Sequence, residues 1–397
     1  MNSNGAGLEI VGSDSATINN NILMKSCSIN ASQTRIVDII ENQISNGTNI
    51  STAYVYNLNI IKNTIKKSNN GIHIINSYNV SLLYNQISEN NGYGIYTISS
   101  DISESLTPTF INIKNNSITK NDNRGVAIFS YDSVAIQNNL IANNSKNDND
   151  AAGLYVTQAN TTKIVNNVII DNIASQNGGA VYINTKNSLC FVNNTIYGNK
   201  ASNIAGGVYI DLSETQGTIN IYNNIIWGND ANICKDLFLY KSSGIVNIYN
   251  NNFNEFYGSW SSESGNINES PLFIDTDNND YNLNYTSPCI NAGSNNAPEM
   301  PESDKDGDPR ISDNIVDIGA FEHSTTIKHP ADTNQDFIIT QPEFNTYNQA
   351  WRNNTDWQTT QNSVAADFLT RAGYILQKGG RYQNTGARKP LCWVPVE

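Results

Sequence analysis

The sequence predicts an all-β fold, a parallel β-solenoid of stacked coils, followed by a small α-helical module at the C-terminal end. Three observations carry this. An asparagine stands two residues before an Ile, Leu or Phe at Asn21, Asn42, Asn63, Asn85, Asn116, Asn139, Asn167, Asn194, Asn224 and Asn251. The segments between them alternate apolar and other residues with period two. Helical periodicity is absent before residue 258 and present after residue 329.

The asparagines recur at steps of 21 to 31 residues. A period in this range means repeated supersecondary units, each packing only on its neighbours. The strands of those units read as GIHIINS, GIYTISS, GVAIFSY, GLYVTQA, GAVYINT and GVYIDLS, each entered from a glycine corner and rich in Ile, Val and Tyr. Two or three such strands per coil, stacked about 4.8 Å apart, give a rod of roughly 45 Å for ten coils.

The recurrent asparagine has a physical task in that architecture. A corner turned inward leaves backbone N–H and C=O groups without partners. An Asn side chain carries a donor and an acceptor, so asparagines stacked in successive coils satisfy both the corner backbone and one another.

Residues 1–258 are therefore assigned to coils. The segment 259–323 follows, with SPLFIDTDNNDYNLNYTSPCINAGSNN around Cys289 and DKDGDPRISDNIVDIGAFE ending at Glu322. Over about residues 5–322 the chain resembles the right-handed parallel β-helix repeat proteins of the pectate-lyase-like superfamily. Its SPCINAG and DIGAFE stretches resemble the terminal segment of many secreted or surface-attached bacterial β-helix proteins. The resemblance implies a segment that closes the solenoid where strand edges would be exposed.

Composition narrows the function classes. The hydrophobic fraction is 38% and the charged fraction 15%, as suits a narrow core coated with Asn, Ser and Thr. The net charge is −13, yet residues 324–397 hold seven Lys/Arg against six Asp/Glu, so the acidity belongs to the solenoid. With no basic stripe to neutralise phosphates, nucleic acid is excluded as a partner. No run of eighteen apolar residues exists to span a membrane. Five scattered cysteines show no metal-type spacing and read as small buried hydrophobes. The resemblance implies an extracellular or cell-surface setting. MNSNGAGLEI enters a coil without an export signal, so a truncated N-terminus is expected.

From His329 to the end at residue 397 the sequence changes to a helical module. Phe344, Tyr347 and Trp351 share one helical face. Phe368, Leu369, Ala372 and Leu376 share another, on a helix stopped by Gly379 and Gly380. The loop before the first helix has oxygen ligands in the alternating pattern a hard cation needs. Asp332, Asn334 and Asp336 stand at its first, third and fifth positions, Ile338 offers a carbonyl at the seventh, Thr340 follows at the ninth, and Glu343 occupies the twelfth. The module resembles an EF-hand or dockerin calcium loop, which implies calcium as the cofactor and a protein partner for the tail. Phe337 departs from that pattern, because the sixth position takes glycine to turn sharply. The alternative reading is an Asx-turn and helix N-cap without metal. A second acidic loop, Asp304, Asp306 and Asp308, has Ile315 where a twelfth-position carboxylate belongs. It reads either as a metal site or as a structural turn in which Arg310 pairs with one of the acids.

No catalytic signature stands out. GxSxG, HExxH and P-loop patterns are absent. Asp101, Asp132, Lys163, Lys186 and Asp211 are charged residues near strands but do not share one repeat offset. His73 stands alone in a strand and reads as a packing residue. Tyr182, Tyr209, Tyr222 and Trp227 could stack on sugars or pack between coils. Three functions follow: a β-helix that binds or displays on polysaccharide or surface glycan, a polysaccharide lyase or glycoside hydrolase, and a structural spacer docking through its tail. The absence of a charged cluster favours a role other than catalysis.

Overall fold

In the computed structural model, residues 7–24, 27–46, 49–99, 108–146, 150–240, 244–325, 327–357 and 363–396 are described. They separate into two compact units. One comprises residues 1–269, 293–305 and 318–320, the other residues 270–292, 306–317 and 321–397.

The first unit is a right-handed parallel β-helix. The first described coil has three strands, Leu8–Val11, Ser15–Asn19 and Ile22–Met24, and a further short strand joins the middle coils at Ser145–Lys146, Ile173–Ala174 and Lys200–Ala201. Successive coils pair in parallel and in register, so that Ile72, Ile95, Val126, Leu154, Val181, Val208 and Leu237 lie one above another. These residues are fully buried and line one wall of a continuous apolar core. The alternation read from the sequence is the pleat itself, with every second side chain pointing inward.

All ten predicted asparagines stack in one ladder. From Asn42 onward, the Oδ1 of each accepts two bonds from the asparagine one coil before, from its backbone N–H and from its Nδ2. Asn139 N and Nδ2 reach Asn167 Oδ1 at 2.9 and 3.0 Å, and Asn167 repeats the pattern on Asn194 at 3.0 and 3.1 Å. The ladder extends one rung beyond the sequence reading, to Asn266. That rung belongs to a further partial coil whose strand, Ser262–Ser264, pairs with Ile245–Tyr249. The residue before each predicted ladder asparagine is left-handed, from Asn20 (φ 56°) through Tyr84 (φ 58°) to Asn250 (φ 52°). The doubled asparagines of the repeat thus have separate tasks. The first tolerates the left-handed corner, and the second feeds the ladder.

A second ladder runs five residues later, through Asn90, Asn121, Asn144, Asn172, Asn199 and Asn229, ending on Asp236. It too follows left-handed residues, including Gly198 and Gly228. Its sequence signal is the last asparagine of NNSITKN, NNLIANN and NNTIYGN.

The terminal segment was expected to cover the solenoid end. Its first residues do stack there, as the partial coil of Ser262–Ser264, while residues 293–305 and 318–320 lie along the flank. Ser294 bonds Asn223, Asn166 bonds the Ser303 carbonyl, and Ala320 N donates to Thr195 Oγ at 2.9 Å. The polar corner row supplies bonding groups along several coils, which makes the flank a template for an extended segment.

The second unit holds two helices, α1 (Gln341–Asn353) and α2 (Ala366–Gln377), and two short antiparallel pairs. α1 opens on a capping box between Thr340 and Glu343. Its core gathers Ile339, Tyr347, Trp357, Ala372, Ile375, Tyr382 and Trp393. Two face assignments change. Trp351 is 43% exposed, because Trp357 covers Tyr347 at 4.8 Å and Ala350 completes the buried face. On α2, Ile375 rather than Leu376 enters the core.

Candidate functional site: an aromatic stripe on the first strands

On the first strand of successive coils, the position turned away from the core carries His73, Tyr96, Ala127, Tyr155, Tyr182, Tyr209, Phe238 and Tyr257, in register, with Ala127 fully buried and Tyr209 and Phe238 only 9% and 7% exposed. Where the column has only Ala127, Phe129 from two residues further fills the gap and meets Tyr96 and Tyr155 at 5.5 Å. The rings form an unbroken stripe. Tyr155, Tyr182, Tyr209, Phe238 and Tyr257 stack at 5.1, 5.1, 5.2 and 4.8 Å, and Tyr182 and Tyr209 are nearly coplanar in orientation at 5°. The strand spacing of a parallel sheet sets this separation, which lies within the range for favourable ring stacking.

Stacking decides what the stripe can offer. Ring faces are spent on neighbouring rings, which leaves Tyr182 and Tyr209 only edges and hydroxyls to offer, with Tyr209 9% exposed. The sequence allowed either sugar stacking or packing between coils, and for these two the faces do the packing. Tyr222 stacks on Tyr249 on the second strands, and Trp227 lies on the third, so neither joins the stripe.

Polar groups flank the central rings. On the entry side, Arg124 lies 3.8 Å from the Tyr155 ring centroid, and its Nε donates to the Asp150 and Ala151 carbonyls. Asp150 Oδ1 accepts from Asn177 N and Nδ2. On the exit side, Asp211 occupies the outward position between Asn184 and Tyr240, and its Oδ1 accepts from Ser213 N. Burial pushes the Tyr182 hydroxyl well above the usual phenol range, and Asp211, Tyr155 and Asp150 push it further. The Tyr209 hydroxyl is pushed up to about 12, first by burial and then by Asp211. Both phenols stay protonated at neutral pH, able to donate and to accept.

The other candidate charges disperse. Asp132 accepts from Thr109 N and Oγ, which fixes a turn. Lys163 pairs with Glu299 at 2.7 Å. Lys186 is exposed. Asp101 lies outside the described residues. His73 packs against Tyr96 with centroids 5.0 Å apart and the rings tilted by 55°, and burial lowers its pKa. Of the charges singled out from sequence, Asp211 alone among the described residues belongs to the stripe. Arg124, Asp150 and Tyr155 were missed, although Tyr155 occupies the same offset after its glycine as Tyr96 and was open to reading.

The tail loop has the predicted turn. Phe337 adopts φ 62°, the left-handed conformation the sixth position requires, and is held there by packing on Tyr382 and Lys328. Asp332 is buried and ties the loop together, accepting from Asp336 N, Phe337 N and the Tyr382 hydroxyl, the last at 2.6 Å. Asp336 Oδ1 accepts from Ile338 N, and Asn334 bonds Asp336. Glu343 is engaged by Thr333 through one oxygen and by Thr340 through the other. Burial pushes its carboxyl up, but these bonds outweigh it and hold it below the usual range. The loop side chains thus serve turn and cap. Among the described residues no three His, Cys, Asp or Glu side chains gather as a metal centre.

Arg310 has a carboxylate partner beyond the loop acids. Its guanidinium meets Glu322 at 3.0 Å with both side chains 1% exposed, and Glu322 also accepts from Ser312 N and Asp317 N. Asp308 pairs with Lys389, and Asp306 accepts from Asn282. The DPR and DIGAFE stretches are thus halves of one buried charge network. A groove of about 1030 Å³ in the same unit is lined by Arg371, Tyr374, Arg388 and Leu391. Arg371 there is engaged by the Leu391 and Trp393 carbonyls.

Residues 1–141 match the family model described as a right handed beta helix region. Among solved structures, the crystal structure of the pectate lyase Pel9A is similar at 12% identity and a TM-score of 0.31, covering 81% of this chain and 89% of that one. No curated protein matches. No helix among the described residues is long and apolar enough to cross a membrane.

Proposed function

We propose that this chain is a secreted or cell-surface β-helix that binds carbohydrate along the aromatic stripe. The observation that carries it is the row of phenol hydroxyls, repeated from coil to coil and flanked by Asp150 and Asp211. Hydroxyl and carboxylate oxygens converging on one surface suit a polyhydroxylated ligand. Immobilised polysaccharides should retain the full-length chain, and Tyr182→Ala should abolish retention while leaving the far-ultraviolet spectrum unchanged. Equal retention of the variant would refute the assignment.

A polysaccharide lyase or glycoside hydrolase is the alternative, and Asp150 and Asp211 on either side of Tyr182 are the groups it would use. Arg124 argues for binding instead, since its Nε is committed to two backbone carbonyls. Reducing-end release from polysaccharide, lost in both Asp150→Asn and Asp211→Asn, would establish the enzyme.

The tail loop is proposed to bind calcium through Asp332, Asn334, Asp336, the Ile338 carbonyl, Thr340 and Glu343. The left-handed Phe337 supports it, as does Asp332 placed to bridge the loop. Binding would draw Glu343 from its cap. Docking of the tail to a protein partner, with the solenoid as a spacer, is the role such a module would serve.

A further inference from the structure

We infer that the stripe is built for an uncharged, extended β-1,4-linked glycan lying along the solenoid axis, with successive sugars on Tyr155, Tyr182 and Tyr209; this rests on the carbohydrate-binding reading above. Three observations support the class and the direction.

The first is pitch. Adjacent rings from Tyr155 to Tyr209 are 5.1 Å apart, the spacing of the strands that carry them, and an extended β-1,4-linked chain advances by a similar distance per sugar. One sugar then meets one phenol, without bending either partner. A chain crossing the stripe would meet only one rung.

The second is charge. Asp150 and Asp211 stand on opposite sides of Tyr182, and both act on its hydroxyl. The nearby cation, Arg124, is 7% exposed and turned onto the Tyr155 ring and two carbonyls. A uronate chain would bring like charge against both carboxylates, whereas neutral sugar hydroxyls donate to them.

The third is the composition of the rungs. Tyr155, Tyr182 and Tyr209 are three consecutive hydroxyls, and the column then loses its hydroxyl at Phe238 on one side and at Ala127 on the other. The stripe therefore has a short polar centre with a defined length.

The test is calorimetric titration of the full-length chain with cello-oligosaccharides from dimer to hexamer, with oligogalacturonate, and with chitosan oligomers, at low and high salt. Affinity for the neutral series should rise to the trimer or tetramer and then level off, with no salt dependence. Tyr182→Phe, which keeps the stack and removes one hydroxyl, should weaken binding by about fivefold with an unchanged melting temperature. Oligogalacturonate bound in preference to the neutral series would overturn the uncharged class while leaving carbohydrate binding standing. Chitosan binding that exceeds the neutral series and disappears at high salt would overturn it as well. A dimer bound as tightly as the hexamer would overturn the axial placement. No binding in any series would remove the carbohydrate reading itself.

Discussion

Replacing Asn167 by alanine tests the ladder at its centre. The Asn167 Oδ1 holds the buried Asn139 N–H, which has no other acceptor among the described residues, and also accepts from Asn139 Nδ2. Its Nδ2 donates to the Ile136 carbonyl at 2.9 Å, to the Val165 carbonyl and to Asn194 Oδ1. The losses are unequal. Asn194 Oδ1 still accepts from the residue-167 backbone N–H, and the Val165 carbonyl still accepts from Asn138 N. Asn139 Nδ2 keeps the Ile113 carbonyl. What remains is one orphaned N–H and one weakened carbonyl, both far from water. At roughly 1–3 kcal/mol for each unsatisfied buried group, the variant should lose about 2–4 kcal/mol. Urea unfolding followed by circular dichroism measures this. Asn30→Ala is the control, because the exposed Asn30 side chain bonds the neighbouring Ser28 hydroxyl, so its change should stay within about 0.5 kcal/mol. If both variants unfold at the wild-type midpoint, the ladder does not stabilise the coil and the reasoning fails.

Tyr84 holds a left-handed corner at φ 58° and is 55% exposed; Tyr84→Asn should raise stability by about 0.5–1 kcal/mol, and a lowered urea midpoint would contradict the role given to corner asparagines. His329 is buried with Nδ1 accepting from Ala331 N and Nε2 facing the Phe368 carbonyl, and burial lowers its pKa from 6.5 to about 4. Its folded pKa is below the unfolded one, so the contribution of the neutral ring is complete above pH 6.5 and is lost as pH falls through about 4. That loss amounts to about 3 kcal/mol, and the stability gap between wild type and His329→Gln should shrink over this window; a constant gap would refute it. Burial raises Asp317 and Glu322, with the opposite sign: their contribution is complete below the unfolded carboxyl range and declines as pH rises through the folded values. Arg310→Met leaves Glu322 buried without its cation and should cost about 3–5 kcal/mol, read as a lower melting temperature of the full-length chain. Calcium titrated calorimetrically into the full-length chain should give heat that Asp336→Ala abolishes and Thr340→Ala only reduces; no heat at millimolar ion leaves the loop as a turn and cap.

The sequence by itself determined the solenoid. A side chain that must bond its counterpart in the next coil has to recur, and ten asparagines kept one offset while the loops between them changed length. The period-two strands followed from the same constraint, because one face of each strand is buried. The helical tail was legible for the same reason, though its faces shifted by a residue at Trp351 and Leu376, where packing against Trp357 and around Ile375 overrode the ideal period. The second ladder was present in the sequence, hidden by the abundance of asparagine.

Only the tertiary structure decided the stripe. Tyr155, Tyr182 and Tyr209 are 27 residues apart and become neighbours through strand register, while Arg124 and Asp150 reach them from corners that follow no repeat. It also decided Arg310, whose partner Glu322 lies across a loop from the acids adjacent to it in sequence. Repetition is written in the chain because every coil needs it. A surface assembled from different positions on different coils is not, because its residues share a location in space and no common local requirement.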